Sequence, residues 1–312
     1  MSGPQGKRCA ISAGGYSAEI AVVGASLASL RGPRGHLVRS TPPEGLRPGC
    51  SGAILAPWPN RIQDGRYEFA GTSHHLPLTE PERNNAAHGL VLWERWEILS
   101  HTAAEVFLGL DLVPQPGYPF ELRLKAVYSL TSNGLEWRVS ATNLGDQSVP
   151  YAVAGHPYLV ADGSDGQKSG ALNDWSLKVP ASVYIDADMD RLLPLGTYPV
   201  DNTHFDFRSG RRLDDFSYDV ALGGLGRNED GRTACELTSP NGGGVVLECG
   251  PEVNWIQVYT DDQATGEPGR RAVAVEPMTA PADAFRSGQD LTVIEPGQTH
   301  SAWWRLAALS DV

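Results

Sequence analysis

Residues 121–142 read ELRLKAVYSL, TSNG and LEWRVSAT, and apolar side chains largely alternate with polar ones on both sides of the central four residues. The apolar positions are even-numbered before these four residues and odd-numbered after them. A period of two is typical of a strand that buries one face. A two-residue turn at Asn133-Gly134 accounts for the switch, because residues paired across a hairpin share a face. This turn predicts the pairs Leu130–Trp137, Tyr128–Val139 and Ala126–Ala141.

The same alternation recurs along the chain and indicates the fold class. A second hairpin is predicted from residues 234–238 and 245–248, joined by the turn SPNGGG at 239–244. Further strands are predicted at 19–23, 67–70, 105–112, 151–160, 175–180, 254–260, 272–276, 291–294 and 300–306. No segment of the sequence carries a long apolar stripe of period 3.6, which a packed helix needs. The sequence therefore predicts an all-β protein, a large antiparallel β-sandwich.

The segments between strands bear on domain organisation. Residues 161–170, 223–231 and 261–269 are rich in Gly and Asp and are predicted to be loops, but none is long or polar enough for a domain linker. No internal repeat of fixed period is present, which argues against a propeller or solenoid. All-β units often exceed ~200 residues. We therefore predict a single domain over residues 1–312.

Charge and cysteine content restrict the partners and the compartment. The chain has 25 Lys and Arg against 37 Asp and Glu, a net charge of −12, so neither nucleic acid nor an anionic membrane is expected as a partner. The first residues lack the apolar core of a signal peptide, and no stretch approaches the ~20 apolar residues of a membrane span. A cytoplasmic location is expected. Cys235 and Cys249 flank the second hairpin and could face each other, but reduced thiols are the expectation there.

Four short segments concentrate polar and charged side chains in Gly- and Pro-rich surroundings. They read PWPNRI (57–62), NNAAHGL (84–90), AGHPYL (154–159) and AVEPMTAPADAF (274–285). They supply Arg61, His88, His156 and Glu276, a set suited to acid–base chemistry on a neutral polar ligand. Each residue also has a structural alternative: a core histidine bonded to a carbonyl, an arginine paired across a turn, or a carboxylate at a solvated strand end.

Taken in order, these segments resemble the aldose 1-epimerase family. Members carry an Asn-Arg-Ile motif and a Gly-x-aromatic-x-aromatic strand, then an Asn with a His-Gly pair, a Thr-Asn strand end, a His-Pro-Tyr motif, a Thr-x-Phe-Asp-Phe segment, a Tyr-Asp pair, and a Glu followed by Pro-x-Asp-Ala. The matching positions are 60–62, 65–69, Asn85, 88–89, Trp96, 142–143, 156–158, 203–207, 218–219, Glu276 and 281–284. The resemblance spans nearly the whole chain and implies a large antiparallel β-sandwich.

The resemblance also implies a reaction, the interconversion of the α and β anomers of a free aldose. Glu276 would be the base that takes the proton of the C1 hydroxyl, and His156 the acid that protonates the ring oxygen. The residues implied to hold the sugar are Asn60, Arg61, His88, Tyr158 and Asp219. No cofactor or metal is needed, and the protein would act as a monomer or homodimer. A carboxylate near His156 is expected to keep it protonated, and burial is expected to raise the pKa of Glu276.

Two departures from the pattern of galactose-specific members predict a divergent branch. His88-Gly89 is followed by Leu90 where those members have a second glycine, and residues 277–279 read PMT where they have a glutamine. Both changes are expected at the sugar. Trp58, Trp93 and Trp255 are candidates for an apolar wall against the sugar, with core packing as the alternative.

Three other functions stay open from the sequence. A glycosidase would pair Glu276 with a second carboxylate, for which Asp219 is the candidate. A non-catalytic sugar-binding sandwich would need no matched acid and base. A phosphorylated or sulfonated sugar would need a basic cluster, for which the available residues are Arg83, Arg208, Arg211 and Arg212. A metal site at His74-His75 is disfavoured, because neighbours on a strand point to opposite faces.

Overall fold

The structure, a computed structural model, describes residues 3–262 and 269–309, and strands dominate these residues. In chain order the first strands are β1 (Arg8–Ala13), β2 (Tyr16–Ala21), β3 (Ser26–Gly32), β4 (Gly35–Val38), β5 (Ile54–Leu55), β6 (Arg61–Gln63), β7 (Arg66–Phe69), β8 (Thr72–His75), β9 (Asn85–Ala87), β10 (Glu97–His101), β11 (Glu105–Leu112), β12 (Leu122–Thr131), β13 (Gly134–Asn143) and β14 (Val149–Tyr151). They are followed by β15 (Ala154–Gly155), β16 (Tyr158–Gly163), β17 (Ser176–Lys178), β18 (Ala181–Ala187), β19 (Pro194–Pro199), β20 (Arg211–Arg212), β21 (Asp219–Leu225), β22 (Thr233–Thr238), β23 (Gly244–Cys249), β24 (Trp255–Tyr259), β25 (Val273–Met278), β26 (Thr292–Ile294) and β27 (Thr299–Ala308). Helical structure in the described residues is limited to α1 (Ala284–Ser287) and the 3₁₀ turns Pro81–Arg83 and Ala171–Asp174.

Two large antiparallel sheets form the body of the molecule. The larger has twelve strands in the order β1-β2-β3-β4-β16-β25-β24-β21-β18-β19, with β15 paired to β25 and β5. The smaller has nine strands in the order β10-β11-β12-β13-β27-β23-β22-β17-β20. One hydrophobic core joins residues of the larger sheet, such as Ile20 and Leu27, to residues of the smaller, such as Leu124 and Trp137. This confirms the predicted all-β fold class and antiparallel sandwich. The single domain over 1–312 stays a prediction.

The first predicted hairpin is present, but its register is two residues away from the predicted one. Leu130 pairs with Leu135, Tyr128 with Trp137 and Ala126 with Val139. The turn residues are therefore Ser132 and Asn133, and Gly134 already belongs to β13. A shift of two residues leaves every side chain on its predicted face, so the alternation alone could not fix the register. The physical reason for the observed register is close packing: a Cβ on Gly134 would lie 2.2 Å from the carbonyl oxygen of Leu306 in β27.

The second predicted hairpin is confirmed, with Thr238 of β22 paired with Gly244 of β23. Its two cysteines are not partners in this ladder, because Cys235 pairs with Leu247 and Cys249 with Thr233. All four cysteines of the chain are free thiols.

The predicted strand at 151–160 is wrong as one element, since it is divided among β14, β15 and β16. The predicted loops are also shorter than expected, since β16 extends to Gly163 and β21 to Leu225. Of the predicted loop at 261–269, residues 263–268 lie outside the described residues.

A tight contact with the core fixes the break between β15 and β16. Gly155 lies against Trp304, and a Cβ at this position would come within 2.6 Å of the indole ring. Trp304 is fully buried and packs on Trp137, with ring centroids 5.1 Å apart. The chain therefore approaches the core closely at Gly155, where β15 ends, and the His156 backbone still bonds to Ala53 and Gly52.

No helix in residues 3–262 or 269–309 has the length and apolar character needed to cross a membrane.

Replacing Gly134 by alanine tests the packing that fixes the first hairpin. Gly134 has φ +102° and no room for a Cβ. We expect Gly134→Ala to lower the free energy of unfolding by roughly 3 kcal/mol, because the new methyl group must displace the backbone of β27. The control is Gly242→Ala in the second hairpin, where φ is +79° but the space is open, and which should cost about 1 kcal/mol. If chemical denaturation showed the same loss of unfolding free energy in both variants, close packing at Gly134 would not be what fixes the hairpin.

Candidate active site

A cavity of about 530 Å³ lies on the larger sheet, on the face turned away from the core. All seven residues predicted for the site line it: Asn60, Arg61, His88, His156, Tyr158, Asp219 and Glu276. The predicted residues therefore converge on one cavity, while their assignment as the site and the role of each stay predictions.

Three neighbouring strands supply the floor of the cavity. Glu276 in β25 lies directly opposite Gln257 in β24. Asp219 begins β21 opposite Tyr259, two residues along β24 from Gln257. Residues that are opposite, or two apart along one strand, share a face of the sheet. A glutamate, a glutamine and an aspartate are thereby presented together to the cavity.

The two histidines come from irregular backbone beside this floor. His156 follows Gly155 at the break between β15 and β16. His88 has φ +62°, and Asn60 has φ +55°. Left-handed backbone is uncommon for residues other than glycine and clusters at functional sites. The residue after His88 must be a glycine, because a Cβ on Gly89 would lie 2.0 Å from the carbonyl oxygen of Ala56.

His156 and Glu276 form the central contact of the cavity. The Nε2 atom of His156 lies 3.2 Å from Oε1 of Glu276, and the two side chains are only 7% and 4% exposed. The His88 ring stands edge-on to His156 with centroids 5.9 Å apart. Tyr158 stacks on His156 at 5.1 Å. An imidazole nitrogen and a carboxyl oxygen are therefore close together, and both side chains are almost fully shielded from solvent.

Burial moves the pKa values of this pair toward the neutral forms. The pKa of Glu276 is well above its ordinary value, because the group is buried and the charge of Asp219 is close. The pKa of His156 is well below its ordinary value, because of burial first, and then because a second proton-binding ring, His88, and the positive charges of nearby arginines oppose its protonation. The expected rise for Glu276 agrees with the structure. The expectation that a neighbouring carboxylate keeps His156 protonated is wrong, because burial lowers the pKa of His156 and favours its neutral form.

The other predicted residues are joined by hydrogen bonds around this pair. Gln257 donates to Asp219 at 2.6 Å, and Asn60 donates to Gln257 at 3.3 Å. Arg61 donates to both carboxylate oxygens of Glu80, at 2.8 and 3.0 Å. The pKa of Asp219 is raised by its burial, even though Arg61 is near. These bonds fix the positions of the polar side chains.

Sequence reasoning missed three residues of this network. Glu80 and Gln257 fix other members of the site, and Arg39 stacks over the Tyr158 ring at 3.9 Å while it pairs with Asp261 at 2.7 Å. Gln257 could have been found, because a polar residue in an otherwise apolar strand marks a face that is not core. Glu80 and Arg39 lie in segments without any such signal.

The predicted tryptophan wall is wrong. None of the three tryptophans is among the residues that line the cavity. Trp58 packs edge-on against Phe285 in the core. Trp255 lies against Gly223 and donates to Asp290 at 2.7 Å. Trp93 is 52% exposed and stacks with Arg47.

Two further expectations change. Arg83 lines the cavity, whereas Arg208, Arg211 and Arg212 do not, and Arg208 and Arg212 pair instead with aspartates of their own surface. The positions that differ from galactose-specific members, Leu90 and residues 277–279, are also not lining residues. Leu90 packs against the core. The expectation that both differences lie at the sugar is therefore not met by the lining of this cavity.

Residues 3–262 and 269–309 contain no group of three or more His, Cys, Asp or Glu side chains that could hold a metal ion. His74 and His75 are consecutive in β8, and His74 stacks on Tyr67 at 4.8 Å.

Comparison with known proteins identifies the family of this chain. Residues 7–307 match the aldose 1-epimerase family, and the chain belongs to it. It is 32% identical to the Escherichia coli protein YihR over 302 residues, which cover 96% of this chain and 93% of YihR. An aldose epimerase homologue from Caenorhabditis elegans has the same fold, with a TM-score of 0.83 at 19% identity, covering 97% of this chain and 99% of that one. A galactose 1-epimerase from Lactobacillus acidophilus is similar at a TM-score of 0.76 and 21% identity, covering 95% and 92%.

The Arg61–Glu80 pair should contribute to stability as well as to the site. Both side chains are about one-seventh exposed, at 14% and 13%. Glu80→Gln would leave Arg61 with a buried, uncompensated charge, and we expect it to lower the free energy of unfolding by about 2 kcal/mol. The control Asp111→Asn breaks a bidentate pair with Arg123 that is half exposed, and should leave the denaturation midpoint unchanged. A midpoint that is equally unaffected in both variants would mean that Arg61 does not need its partner.

Proposed function

We propose that the protein is an aldose 1-epimerase, a mutarotase that interconverts the α and β anomers of a free aldose. The observation that carries the proposal is the contact between His156 and Glu276, buried in a cavity with His88 and Arg61. Anomerisation needs one acid and one base on the same ring, and this pair supplies one of each.

The reaction is balanced in protons. Glu276 takes the proton of the C1 hydroxyl while His156 gives a proton to the ring oxygen, and the bond between C1 and the ring oxygen breaks. The open aldehyde turns about the C1–C2 bond. Closure on the other face of C1 returns the ring-oxygen proton to His156, and Glu276 gives its proton to the new C1 hydroxyl. Each group ends as it began, so no proton is taken from solvent.

The pKa directions describe how the pair starts this cycle. Burial favours a protonated Glu276 beside a neutral His156. The two groups hold one proton between them, so one is always an acid and the other a base. Hydroxyls of a bound sugar donate hydrogen bonds to the carboxylate and replace its lost hydration, which favours the state in which Glu276 is charged and His156 carries the proton.

The remaining residues hold the sugar. Arg61 and His88 supply donors, Asp219 supplies an acceptor, and Asn60 and Tyr158 complete the polar lining. Hydrogen bonds that involve a charged partner are roughly twice as strong as neutral ones. The sugar is the only partner proposed, with the protein acting in the cytoplasm as a monomer or homodimer.

A glycosidase is the second candidate, because Asp219 is close enough to Glu276 to raise its pKa. Paired carboxylates are what glycosidases use. The release of reducing sugar from aryl glycosides distinguishes this activity from anomerisation.

Anomerisation is measured by polarimetry from freshly dissolved α-glucose, α-galactose and aldoses that carry a phosphate or sulfonate group, the last because Arg83 lines the cavity. We expect acceleration with at least one sugar.

Glu276→Gln and His156→Asn should each lower kcat about 10²–10⁴-fold, because each removes one partner of the proton exchange. The double variant should be no slower than the slower single one. His300→Asn, a histidine in β27 away from the cavity, should be as active as wild type, and an active double variant would refute the assignment.

The pH profile should be a broad plateau. The pair loses its base only when both groups are protonated, and the lowered pKa of His156 moves that limb well below 6.5. It loses its acid only when both are deprotonated, and the raised pKa of Glu276 keeps that limb far above 4.5. Asp219→Asn removes a charge that raises the pKa of Glu276, so the alkaline limb should move to lower pH. The test is kcat/KM as a function of pH for the wild type and Asp219→Asn, corrected for spontaneous mutarotation. An alkaline limb at the same pH in both proteins would contradict the role of Asp219.

A further inference from the structure

The loop at residues 188–193, between β18 and β19, closes one side of the cavity. Met189 and Leu192 both line it. Met189 is 85% exposed, the most exposed large hydrophobic side chain in the described residues. Leu192 has φ +57°, a left-handed backbone that a leucine rarely adopts. An exposed methionine and a strained leucine at the edge of a polar cavity indicate a segment shaped for contact with a ligand.

The loop is preformed by one of its own side chains. The carboxylate of Asp188 accepts hydrogen bonds from the backbone amides of Arg191 at 2.6 Å, Asp190 at 3.1 Å and Leu193 at 3.1 Å. These amides, that of Arg191 above all, lower the pKa of Asp188. The turn therefore does not depend on a bound sugar for its shape.

Arg191 fastens the loop to another part of the site. Its guanidinium donates to the carbonyl oxygens of Arg83 at 2.9 Å and Asn84 at 2.8 Å. It also donates to Asp64 Oδ1 at 2.8 Å and to Asn85 Oδ1 at 3.3 Å, and the Asn85 amide donates back to the Arg191 carbonyl at 2.9 Å.

Asn85 links this attachment to the sugar-binding residues. Its side chain is fully buried and also donates to Glu80 at 3.1 Å. Glu80 in turn holds Arg61. One network therefore positions both Arg61 and the loop that carries Met189.

We propose that Met189 and Leu192 form the apolar surface against which the carbon–hydrogen face of the sugar packs, and that Arg191 is the positioning residue that holds them there. The inference rests on the proposed function. A sugar ring presents apolar C–H groups between its hydroxyls, and the tryptophans that could have met them lie elsewhere. Methionine suits this position because its flexible side chain adapts to the shape of a ligand. The contact is made equally before and during ring opening, so it acts on KM and not on kcat.

The test compares two loop variants with two matched controls, using the sugar that the wild-type protein anomerises fastest. Met189→Ala should raise KM about 5-fold and leave kcat within about 2-fold, because roughly half the burial of a methionine is lost. Arg191→Gln should raise KM similarly and should also speed hydrogen exchange of the amides at 188–193. Leu195→Ala removes a 64% exposed leucine of β19 that does not line the cavity, and Arg212→Gln removes an arginine paired at a distant surface. Both controls should match the wild type.

The outcomes separate the inference from the proposed function. An active wild-type protein with unchanged KM in both loop variants overturns the inference and leaves the epimerase proposal intact. Exchange at 188–193 that Arg191→Gln does not alter overturns the role of Arg191, whatever the activity. A wild-type protein that accelerates no sugar overturns the proposed function and the sugar-packing role with it, while the exchange measurement still decides whether Arg191 holds the loop.

Discussion

A carboxyl group and an imidazole lie 3.2 Å apart and are almost fully buried, so the protonation of one depends on that of the other, and this constraint governs the site. With two protons the pair would bury an uncompensated positive charge, and with none an uncompensated negative one, and both are costly away from water. One proton is the favoured content. Such a pair can give a proton to the ring oxygen of a sugar and take one from its C1 hydroxyl. It is therefore suited to a reaction with no net uptake or release of protons.

The fold meets this constraint by combining regular and irregular backbone. The ladder between β24 and β25 puts Glu276 on a rigid floor, beside Gln257. His156 lies outside this ladder, between β15 and β16. It lies in the interruption between β15 and β16, which Gly155 makes possible because it packs directly on Trp304. The contact between Gly155 and Trp304 therefore contributes both to the core and to the position of His156 in the site.

Much of this arrangement follows from the sequence, and the exceptions have physical causes. Alternation predicted the class of fold, and the ordered motifs predicted seven residues that do line one cavity. The register of the first hairpin was wrong by two residues, because an even shift preserves both faces and only the approach of Gly134 to β27 excludes it. The tryptophan wall was wrong because aromatic mass in this chain goes mainly to the core. Glu80 and Arg39 were invisible, since each acquires its role through partners distant in the sequence, and Asp261, the partner of Arg39, is 222 residues away.

Magnetisation exchange between the C1 protons of the two anomers tests the central claim most directly, because at equilibrium it detects ring opening and closure and nothing else. With the sugar at anomeric equilibrium, two-dimensional proton exchange NMR should show cross-peaks between the α and β signals in the presence of the wild-type protein. The same sample with Glu276→Gln should show none. The absence of cross-peaks with wild-type protein across neutral and anionic aldoses, or their persistence with Glu276→Gln, would contradict the account.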